Sequence, residues 1–377
     1  MNIAIIADVL GKPNNGTTLA TYNLINGMKK RGHNVKVVCP DVDKKDLAGY
    51  YIAPVNHLGP IIDKVIEKNG VVWAKADDET LRAAIKDADV VHIEMPYSLG
   101  NRGAEIAKEY GKPLTASFHC QAENFTSHIF MMNSNLVNHW TYEVFYKNLY
   151  SKCDLIHYPT QFIRDEFEGQ IKKKTPGVVI SNGVNKEFFG NERLPKTSDK
   201  FEIICSGRLC AEKAQHVLIQ AVAKSKHKND IKIFFAGDGP DKKKLLSLVE
   251  KLGVDADFRF YQREDLKKRL LSGDLYVHTA TAEIEAISCL EAIVSGLVPI
   301  ICNSEKSATR YFAVDEKCLF EKGDPEDLAE KIDFFYENRD LIDEYREKYK
   351  GLVSTLDVEK SMDKMEEMLL TAAKAEA

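Results

Sequence analysis

The sequence predicts an α/β protein of two domains, each built around a parallel sheet. Three observations lead to this prediction. Short apolar runs typical of buried strands alternate with helices whose apolar residues recur at helical spacing. Strand, helix and strand follow one another over residues 2–39, as in a parallel sheet with a crossover helix. The chain has 377 residues, which is enough for two hydrophobic cores.

Composition and charge exclude several kinds of protein. The formal net charge of −5 does not favour nucleic-acid binding, which needs a basic surface. The apolar runs are too short to cross a membrane, and the first strand has no basic flank or cleavage site before it. The eight cysteines are scattered without a Cys-x-x-Cys pair, which indicates reduced core residues rather than disulfides or a metal site. We therefore expect a cytoplasmic protein.

The first predicted strand, residues 2–8, is followed by a loop over 11–18, a helix over 19–28 and a strand over 35–39. Backbone amides in such a loop can approach a phosphate, which makes Gly16 a candidate binding residue. The glycines do not match Gly-x-Gly-x-x-Gly, so a nicotinamide or flavin cofactor is disfavoured. The alternative is that Gly16 only permits a tight turn.

Two further predicted strands, 89–93 and 113–119, are separated by a loop over 94–100 and a helix over 104–110. Ligands of open parallel sheets gather at the carboxyl ends of the strands, where His119 would lie. A histidine at a strand end can equally be structural. On this residue alone, both roles stay open.

The segment 125–150 is unusually rich in aromatic and apolar residues, among them Phe125, Phe130 and Trp140, and it includes Lys147. A helix that is apolar nearly all round is usually buried, so part of this segment must pack against the sheet. The remainder could line a substrate pocket or rest on an anionic membrane surface.

A second domain is predicted after the polar stretch 191–200, opening with a strand over 201–206 and a loop over 207–213. A diphosphate leaving group gains negative charge as its bond breaks, and the cations Arg208 and Lys213 could neutralise that charge without proton transfer. The alternative is two surface cations on a loop. Further strands are predicted over 231–236, 258–261, 274–277 and 298–302, helices over 217–223, 245–252, 287–295, 340–352 and 358–373, and a loop over 262–266.

Two carboxylates frame the start of the predicted helix 287–295. Glu283 lies in the loop before it and Glu291 inside it, with seven residues between them. Uncapped amides at a helix N-terminus favour phosphate, whereas carboxylates accept hydrogen bonds from sugar hydroxyls. The pattern therefore favours a nucleotide-sugar ligand. A solvated helix with two ordinary glutamates is the alternative.

Three segments, in this order, resemble the family 4 retaining glycosyltransferases, and among them the bacterial 1,2-diacylglycerol 3-alpha-glucosyltransferases. They are 117–124 (Ser-Phe-His-Cys-Gln-Ala-Glu-Asn), 207–213 (Gly-Arg-Leu-Cys-Ala-Glu-Lys) and 283–291 (Glu-Ile-Glu-Ala-Ile-Ser-Cys-Leu-Glu). The resemblance implies the GT-B fold, in which two Rossmann-like domains face each other across a cleft. It also implies an acceptor-side domain over 1–182, a donor-side domain over 183–355, and a helix over 356–377 that packs on the first domain.

By this resemblance, His119 would lie near the anomeric carbon, Arg208 and Lys213 would hold the diphosphate, Glu283 the sugar hydroxyls and Glu291 the ribose. Where many family members have Glu-Gly-Phe-Gly, residues 283–286 are Glu-Ile-Glu-Ala, and we expect the extra Glu285 to face solvent. The implied donor-binding residues are Gly16, Arg208, Lys213, Arg263, Glu283, Ala286, Ile287, Ser288 and Glu291. The implied acceptor or membrane contacts are Phe125, Phe130, Trp140 and Lys147.

The implied activity is retaining transfer of a hexose, with glucose favoured, from a UDP-sugar to a lipid. The favoured acceptor is 1,2-diacylglycerol on the inner face of the plasma membrane, where the protein would be peripheral on anionic lipid. The resemblance implies no tightly bound cofactor and no metal ligands, although Mg²⁺ could stimulate. The alternatives are a phosphatidylinositol or soluble-sugar acceptor, a nucleotide-sugar epimerase, and a non-catalytic nucleotide-sugar-binding protein.

Overall fold

The computed structural model describes residues 1–11, 16–56, 59, 72–127, 134–196 and 198–374. These residues form two compact units. Unit 1 contains Met1–Asn182 and the chain from Val358 onward, and unit 2 contains Gly183–Asp357. Each unit has its own parallel sheet, as the alternation of strands and helices predicted.

The sheet of unit 1 has seven parallel strands in the order β3-β2-β1-β4-β5-β6-β7. The chain moves outward on one side from β1 and then restarts at β4 on the other side, so the order reverses between β1 and β4. The strands are β1 (Asn2–Ile6), β2 (Asn34–Cys39), β3 (Tyr50–Ile52), β4 (Val90–Ile93), β5 (Leu114–Ser117), β6 (Leu155–Tyr158) and β7 (Gly177–Val179). The helices are α1 (Gly16–Lys30), α2 (Asp78–Ile85), α3 (Ser98–Glu109), α4 (Ala122–Ser127), α5 (Asn135–Asn148) and α6 (Gln161–Ile171).

Unit 2 repeats this plan with six parallel strands in the order β10-β9-β8-β11-β12-β13, and its order reverses between β8 and β11. The strands are β8 (Phe201–Ser206), β9 (Ile231–Ala236), β10 (Ala256–Arg259), β11 (Leu275–His278), β12 (Val298–Asn303) and β13 (Leu319–Glu321). The helices are α7 (Gln215–Lys224), α8 (Lys242–Leu252), α9 (Arg263–Ser272), α10 (Ile287–Val294), α11 (Pro325–Glu337) and α12 (Leu341–Val353).

The C-terminal helix α13 (Val358–Lys374) packs on α1 of unit 1. The contact is close because Gly27 has no side chain: a Cβ there would lie 2.7 Å from Cγ of Met362. Ion pairs flank the apolar contact, with Arg31 reaching Glu359 and His33 lying 2.7 Å from Glu366. The helix thus completes the core of a domain whose other elements lie far away in sequence.

Three predicted loops were wrong in part. Helix α1 begins at Gly16, inside the predicted loop 11–18. Helix α3 begins at Ser98 inside the predicted loop 94–100, and the Asp8 carboxylate accepts hydrogen bonds from the amides of Leu99 (2.7 Å) and Gly100 (2.8 Å). The capping residue Asp8 follows β1 and is distant in sequence from α3, so no local sequence signal predicts where the helix begins. The predicted loop 262–266 instead begins helix α9 at Arg263, with the first-turn acids that favour a helix N-terminus.

Candidate functional site

Two predicted site residues of unit 2, Lys213 and Glu283, come together where the strand order reverses. The loop 207–213 follows β8 and the loop 279–286 follows β11, and these two strands are hydrogen-bonded neighbours. Ligands of open parallel sheets bind at this kind of position, beyond the carboxyl ends of the strands. The Thr279 hydroxyl donates to the carbonyl of Lys213 (2.6 Å), and the Thr281 amide donates to the carbonyl of Glu212 (2.9 Å). The two loops are therefore held together.

Lys213 and Glu283 form a buried ion pair between these loops. The Lys213 ammonium contacts Oε1 of Glu283, which is 8% exposed, and Nε2 of His278 lies 3.2 Å from the same oxygen. Burial alone would raise the pKa of Glu283, but Lys213 and His278 lower it to about 2. Burial likewise opposes protonation of Lys213, yet Glu283 holds the pKa of the ammonium above its ordinary value. Both groups are therefore ionised at neutral pH.

Arg208 is positioned by an unusually close backbone crossing. A Cβ on Gly237 would lie 1.9 Å from the carbonyl oxygen of Gly207, and one on Gly239 would lie 2.3 Å from that of Leu209. The Gly-Asp-Gly-Pro turn after β9 is thus needed for the Arg208 loop to pass. Nη2 of Arg208 is buried, and among the described residues it has no hydrogen-bond partner. Because a buried unpaired donor is costly, this guanidinium is suited to receive an anionic ligand.

Glu291 lies apart from this ion pair and has its own cation. Its Oε1 accepts from Nη1 of Arg263 at 2.9 Å, while Nε of the same arginine donates to Glu187 at 2.8 Å. The guanidinium also lies over the ring of Phe188, 4.8 Å from its centroid. Burial raises the pKa of Glu291, and Arg263 opposes that rise. The two glutamates of the motif therefore have separate partners and opposite pKa shifts.

Helix α10 starts between these two glutamates without a side-chain cap. Its N-cap residue Ala286 has φ 62° and ψ 71°, a left-handed conformation that is costly for any residue except glycine. A glycine at this position would adopt the same conformation without that cost. Ile287 and Ser288 form the first turn. Glu285 is only 4% exposed, so the expectation that it faces solvent was wrong.

In unit 1, His119 lies just beyond the end of β5, with its Nε2 3.2 Å from Oε2 of Glu94. Glu94 follows β4, the neighbouring strand, and also accepts from the Thr21 hydroxyl at 2.9 Å. Burial raises the pKa of Glu94, but His119, His92 and Thr21 together lower it to about 2. Glu94 belongs to no motif of the sequence, and its position directly after a buried strand was the available signal.

The remaining predicted contacts belong to unit 1. Gly16 is the first residue of α1, and residues 12–15 of its loop lie outside the described residues. Trp140 is 66% exposed on α5, and Lys147, two turns later on the same side, is also exposed. Phe130 lies outside the described residues, and Phe125 belongs to α4, where only its backbone is described.

The described residues contain no group of three or more histidine, cysteine or acidic side chains placed to bind a metal. None of the described helices combines the length and the apolar character that crossing a membrane requires.

Comparison with known proteins assigns the chain to a family. The profile described as Glycosyltransferase Family 4 matches residues 14–188, and the profile described as Glycosyl transferases group 1 matches residues 187–351. Two Rossmann-like units of parallel sheet are the architecture of GT-B glycosyltransferases. The chain belongs to glycosyltransferase family 4, as its motifs predicted.

Two relatives and one solved structure illustrate the likeness. The alpha-monoglucosyldiacylglycerol synthase of Acholeplasma laidlawii is 24% identical over 324 residues, which is 80% of each chain. The GDP-mannose-dependent alpha-mannosyltransferase of Mycolicibacterium smegmatis is 25% identical over 309 residues, 80% of this chain and 79% of the relative. The structure of Anabaena Alr3699/HepE with UDP and glucose is 17% identical with a TM-score of 0.75, covering 98% of this chain and 100% of that one.

Proposed function

We propose that this glycosyltransferase transfers a hexose, glucose in the first instance, from a UDP-sugar to 1,2-diacylglycerol with retention of the anomeric configuration. The protein would act in the cytoplasm, peripherally on the inner face of the plasma membrane. The donor part is supported by the buried Nη2 of Arg208, which has no hydrogen-bond partner among the described residues. Arg208 lies in the same loop as Lys213, whose ammonium contacts the ionised Glu283.

The donor fits the charges of unit 2. Arg208 and Lys213 supply the positive charge that a departing nucleotide diphosphate needs, and the uncapped amides of α10 add a helix N-terminus. Glu283, held ionised by Lys213, can only accept hydrogen bonds, which suits the hydroxyls of a sugar. Glu291 would accept a hydrogen bond from a ribose hydroxyl, and this bond would replace part of its contact with Arg263.

Retention follows most simply from attack on the face that the leaving group vacates. The bond between the anomeric carbon and the diphosphate oxygen breaks, the acceptor oxygen forms its bond on the same side, and the acceptor proton passes to the departing phosphate. Glu283 is a poor candidate for a covalent nucleophile, because Lys213 and His278 hold its pKa at about 2 and occupy its oxygen. His119 would contact the donor sugar near the reacting carbon.

The lipid acceptor is supported by the surface of α5. Leu136 and Trp140, one turn apart, are 79% and 66% exposed, and Lys147 lies further along the same side. An exposed apolar face with a neighbouring cation suits contact with anionic lipid. The relative from Acholeplasma laidlawii, named for synthesis of a glucosyldiacylglycerol, supports the same acceptor.

A second candidate is mannosyl transfer from GDP-mannose, supported by the relative from Mycolicibacterium smegmatis at 25% identity. Arg208 and Lys213 do not distinguish UDP-glucose from GDP-mannose, because they would bind the diphosphate that both donors share. Base and sugar selectivity therefore has to be measured.

The test is a transfer assay on purified protein. Radiolabelled UDP-glucose, UDP-galactose and GDP-mannose are each offered to phosphatidylglycerol vesicles with and without 1,2-diacylglycerol, in Mg²⁺ and in EDTA. We expect label from UDP-glucose in the organic phase only when diacylglycerol is present, and an alpha linkage by NMR. Arg208→Ala should transfer label with a kcat/KM about 10²- to 10³-fold lower. Label that stays in the aqueous phase would refute the lipid acceptor, a beta linkage would refute retention, and preference for GDP-mannose would favour the second candidate.

A further inference from the structure

A network of buried histidines crosses three neighbouring strands of unit 1. His92 lies in β4, Ser117 ends β5 and His157 lies in β6, and the sheet register pairs Ser117 with His157. Nε2 of His157 is 2.7 Å from the carbonyl oxygen of Ile180, and its Nδ1 is 2.9 Å from Oγ of Ser117. The same Oγ is 2.9 Å from Nε2 of His92. We call His92, Ser117 and His157 the histidine network.

The donor and the acceptor of each hydrogen bond in this network can be assigned by starting at the Ile180 carbonyl. The Ile180 carbonyl can only accept, so Nε2 of His157 carries a proton. Burial lowers the pKa of His157 to about 3, so the ring is neutral and its Nδ1 must accept from Ser117. Having donated its only proton, the Ser117 hydroxyl can only accept from His92. Nε2 of His92 therefore carries a proton.

The network ends on Glu94. Nε2 of His92 lies 3.5 Å from Oε1 of Glu94, too far for a good hydrogen bond, and this buried oxygen has no hydrogen-bond partner among the described residues. Burial lowers the pKa of His92 to about 4, so this ring is neutral and Nδ1 accepts from the Thr115 hydroxyl at 2.8 Å. On the other side, Oε2 of Glu94 accepts from Thr21 and lies 3.2 Å from Nε2 of His119.

An ionised carboxylate has no proton to give. Glu94 therefore requires that Nε2 of His119 carry the proton of their contact. A His119 ring with a single proton therefore carries it on Nε2, which leaves Nδ1 as the acceptor. The side chain of His119 is 6% exposed, so this nitrogen is held in a fixed position rather than free in solvent.

We propose that Glu94 is a positioning residue for transfer: it fixes the tautomer of His119 so that Nδ1 can accept a hydrogen bond from a hydroxyl of the donor sugar. The inference rests on the proposed function, since only there does His119 meet a substrate. Thr21 holds Glu94 in place. The histidine network places the proton of His92 on Nε2, so the His92 nitrogen nearest Glu94 is not a hydrogen-bond acceptor.

The test uses Glu94→Gln, because glutamine keeps the shape but can turn an amide N–H toward His119. We expect the proton of His119 to move from Nε2 to Nδ1, as read from ¹⁵N-histidine NMR of the full-length protein with His119→Asn for assignment. We also expect kcat to fall about 10²-fold while KM for the UDP-sugar stays within about threefold. Glu94→Asp keeps an acceptor-only carboxylate and should retain the Nε2 proton and more of the activity.

The matched control is Glu168→Gln. Glu168 is another buried carboxylate of unit 1 whose pKa is held at about 2, here by Lys174, Thr175 and Arg164, although burial alone would raise it. It belongs neither to the histidine network nor to the contact with His119. We expect Glu168→Gln to lose stability and to leave the NMR signals of His119 unchanged.

Three results would overturn the inference: a wild-type His119 protonated on Nδ1, a tautomer that Glu94→Gln does not change, or equal losses of kcat in Glu94→Asp and Glu94→Gln. The wild-type measurement decides even where Glu94→Gln does not fold. A wild-type protein that transfers no sugar refutes the proposed function and the catalytic role of Glu94 with it. A wrong tautomer in an active wild-type enzyme refutes this inference alone.

Discussion

The two units have the same topology but place different chemistry at the reversal of strand order. Unit 2 gathers charge there: Lys213 and Glu283 are both ionised, and Arg208 keeps a buried donor without a partner among the described residues. Unit 1 places the neutral imidazole of His92 and the ring of His119 beside one ionised carboxylate, Glu94. One fold can therefore supply either electrostatic stabilisation of an anion or fixed hydrogen-bond direction, according to which residues follow the central strands.

The largest expected effect comes from removing Lys213, the cation of the buried ion pair with Glu283 in unit 2. Lys213→Met leaves Glu283 buried without its cation, and we expect the free energy of unfolding to fall by about 3–5 kcal/mol and transfer to be abolished. Urea unfolding followed by circular dichroism measures the first and the transfer assay the second. Lys213→Met combined with Glu283→Gln should regain most of the stability but none of the activity. A single variant as stable as the wild type would contradict the ion pair.

Removing Arg208 should reduce function without reducing stability. Its buried Nη2 has no hydrogen-bond partner among the described residues, and a buried unpaired donor is costly, so we expect Arg208→Ala not to lower the free energy of unfolding. We expect kcat/KM for transfer to fall about 10²- to 10³-fold. Arg259→Ala, an exposed arginine of the same unit, is the control and should retain activity. Equal activity of both variants would count against the diphosphate site.

The neutral histidines of unit 1 predict a pH dependence. His157 has a folded-state pKa of about 3, against about 6.5 when unfolded, so between these values only the unfolded state binds the proton. Acidification from pH 6.5 should therefore cost wild type up to about 1.4 kcal/mol per pH unit through this residue, and His157→Gln should lack that loss. The stability difference between the two proteins should be constant above pH 6.5 and shrink as the pH falls.

This pH dependence can be measured on unit 1 selectively, because both tryptophans of the chain, Trp73 and Trp140, lie there. Urea unfolding followed by tryptophan fluorescence at pH 8, 7, 6 and 5 gives the comparison. Burial raises the pKa of Asp8 to about 7, which acts in the opposite direction, but Asp8 is common to both proteins and cancels in the difference. A stability difference independent of pH would mean that His157 is not held neutral.

The smallest expected effect concerns the helix ends. Helix α3 of unit 1 is capped by Asp8, whereas α10 of unit 2 starts at Ala286 in a left-handed conformation without a side-chain cap. Replacing this alanine by glycine relieves about 1–2 kcal/mol of strain and loses part of it to chain entropy, so Ala286→Gly should stabilise by about 0.5–1 kcal/mol. Ala292→Gly inside α10 should instead destabilise by about 1 kcal/mol. Urea unfolding measures both, and a destabilised Ala286→Gly would contradict the conformation.

Much of the fold could be predicted because parallel strands that are buried on both faces are nearly continuous apolar runs. The predicted bounds of β8 and β9 match the structure, and the α/β class and the family are confirmed. The start of α9 was missed although Glu264 and Asp265, in its first turn, gave a usable signal. The start of α3 could not be predicted, because its cap, Asp8, follows a different strand.

The candidate site divides in the same way. Lys213 and Glu283 lie in the loops that follow two neighbouring strands, so their motifs and their meeting point could both be inferred from sequence. His92 and His157 lie inside strands, where a polar residue cannot be told from an ordinary core position. Their role depends on which strands are adjacent and on where the Ile180 carbonyl lies, and neither is encoded locally.

Calorimetric titration with UDP measures whether the charged residues Arg208, Lys213 and Glu283 of unit 2 form a binding site for a nucleotide diphosphate. We expect wild type to bind one UDP per chain, and Arg208→Ala to bind it about 10- to 100-fold more weakly, a difference of about 1.4–2.8 kcal/mol. Equal affinity of the two proteins for UDP, or no binding by wild type, would contradict the account.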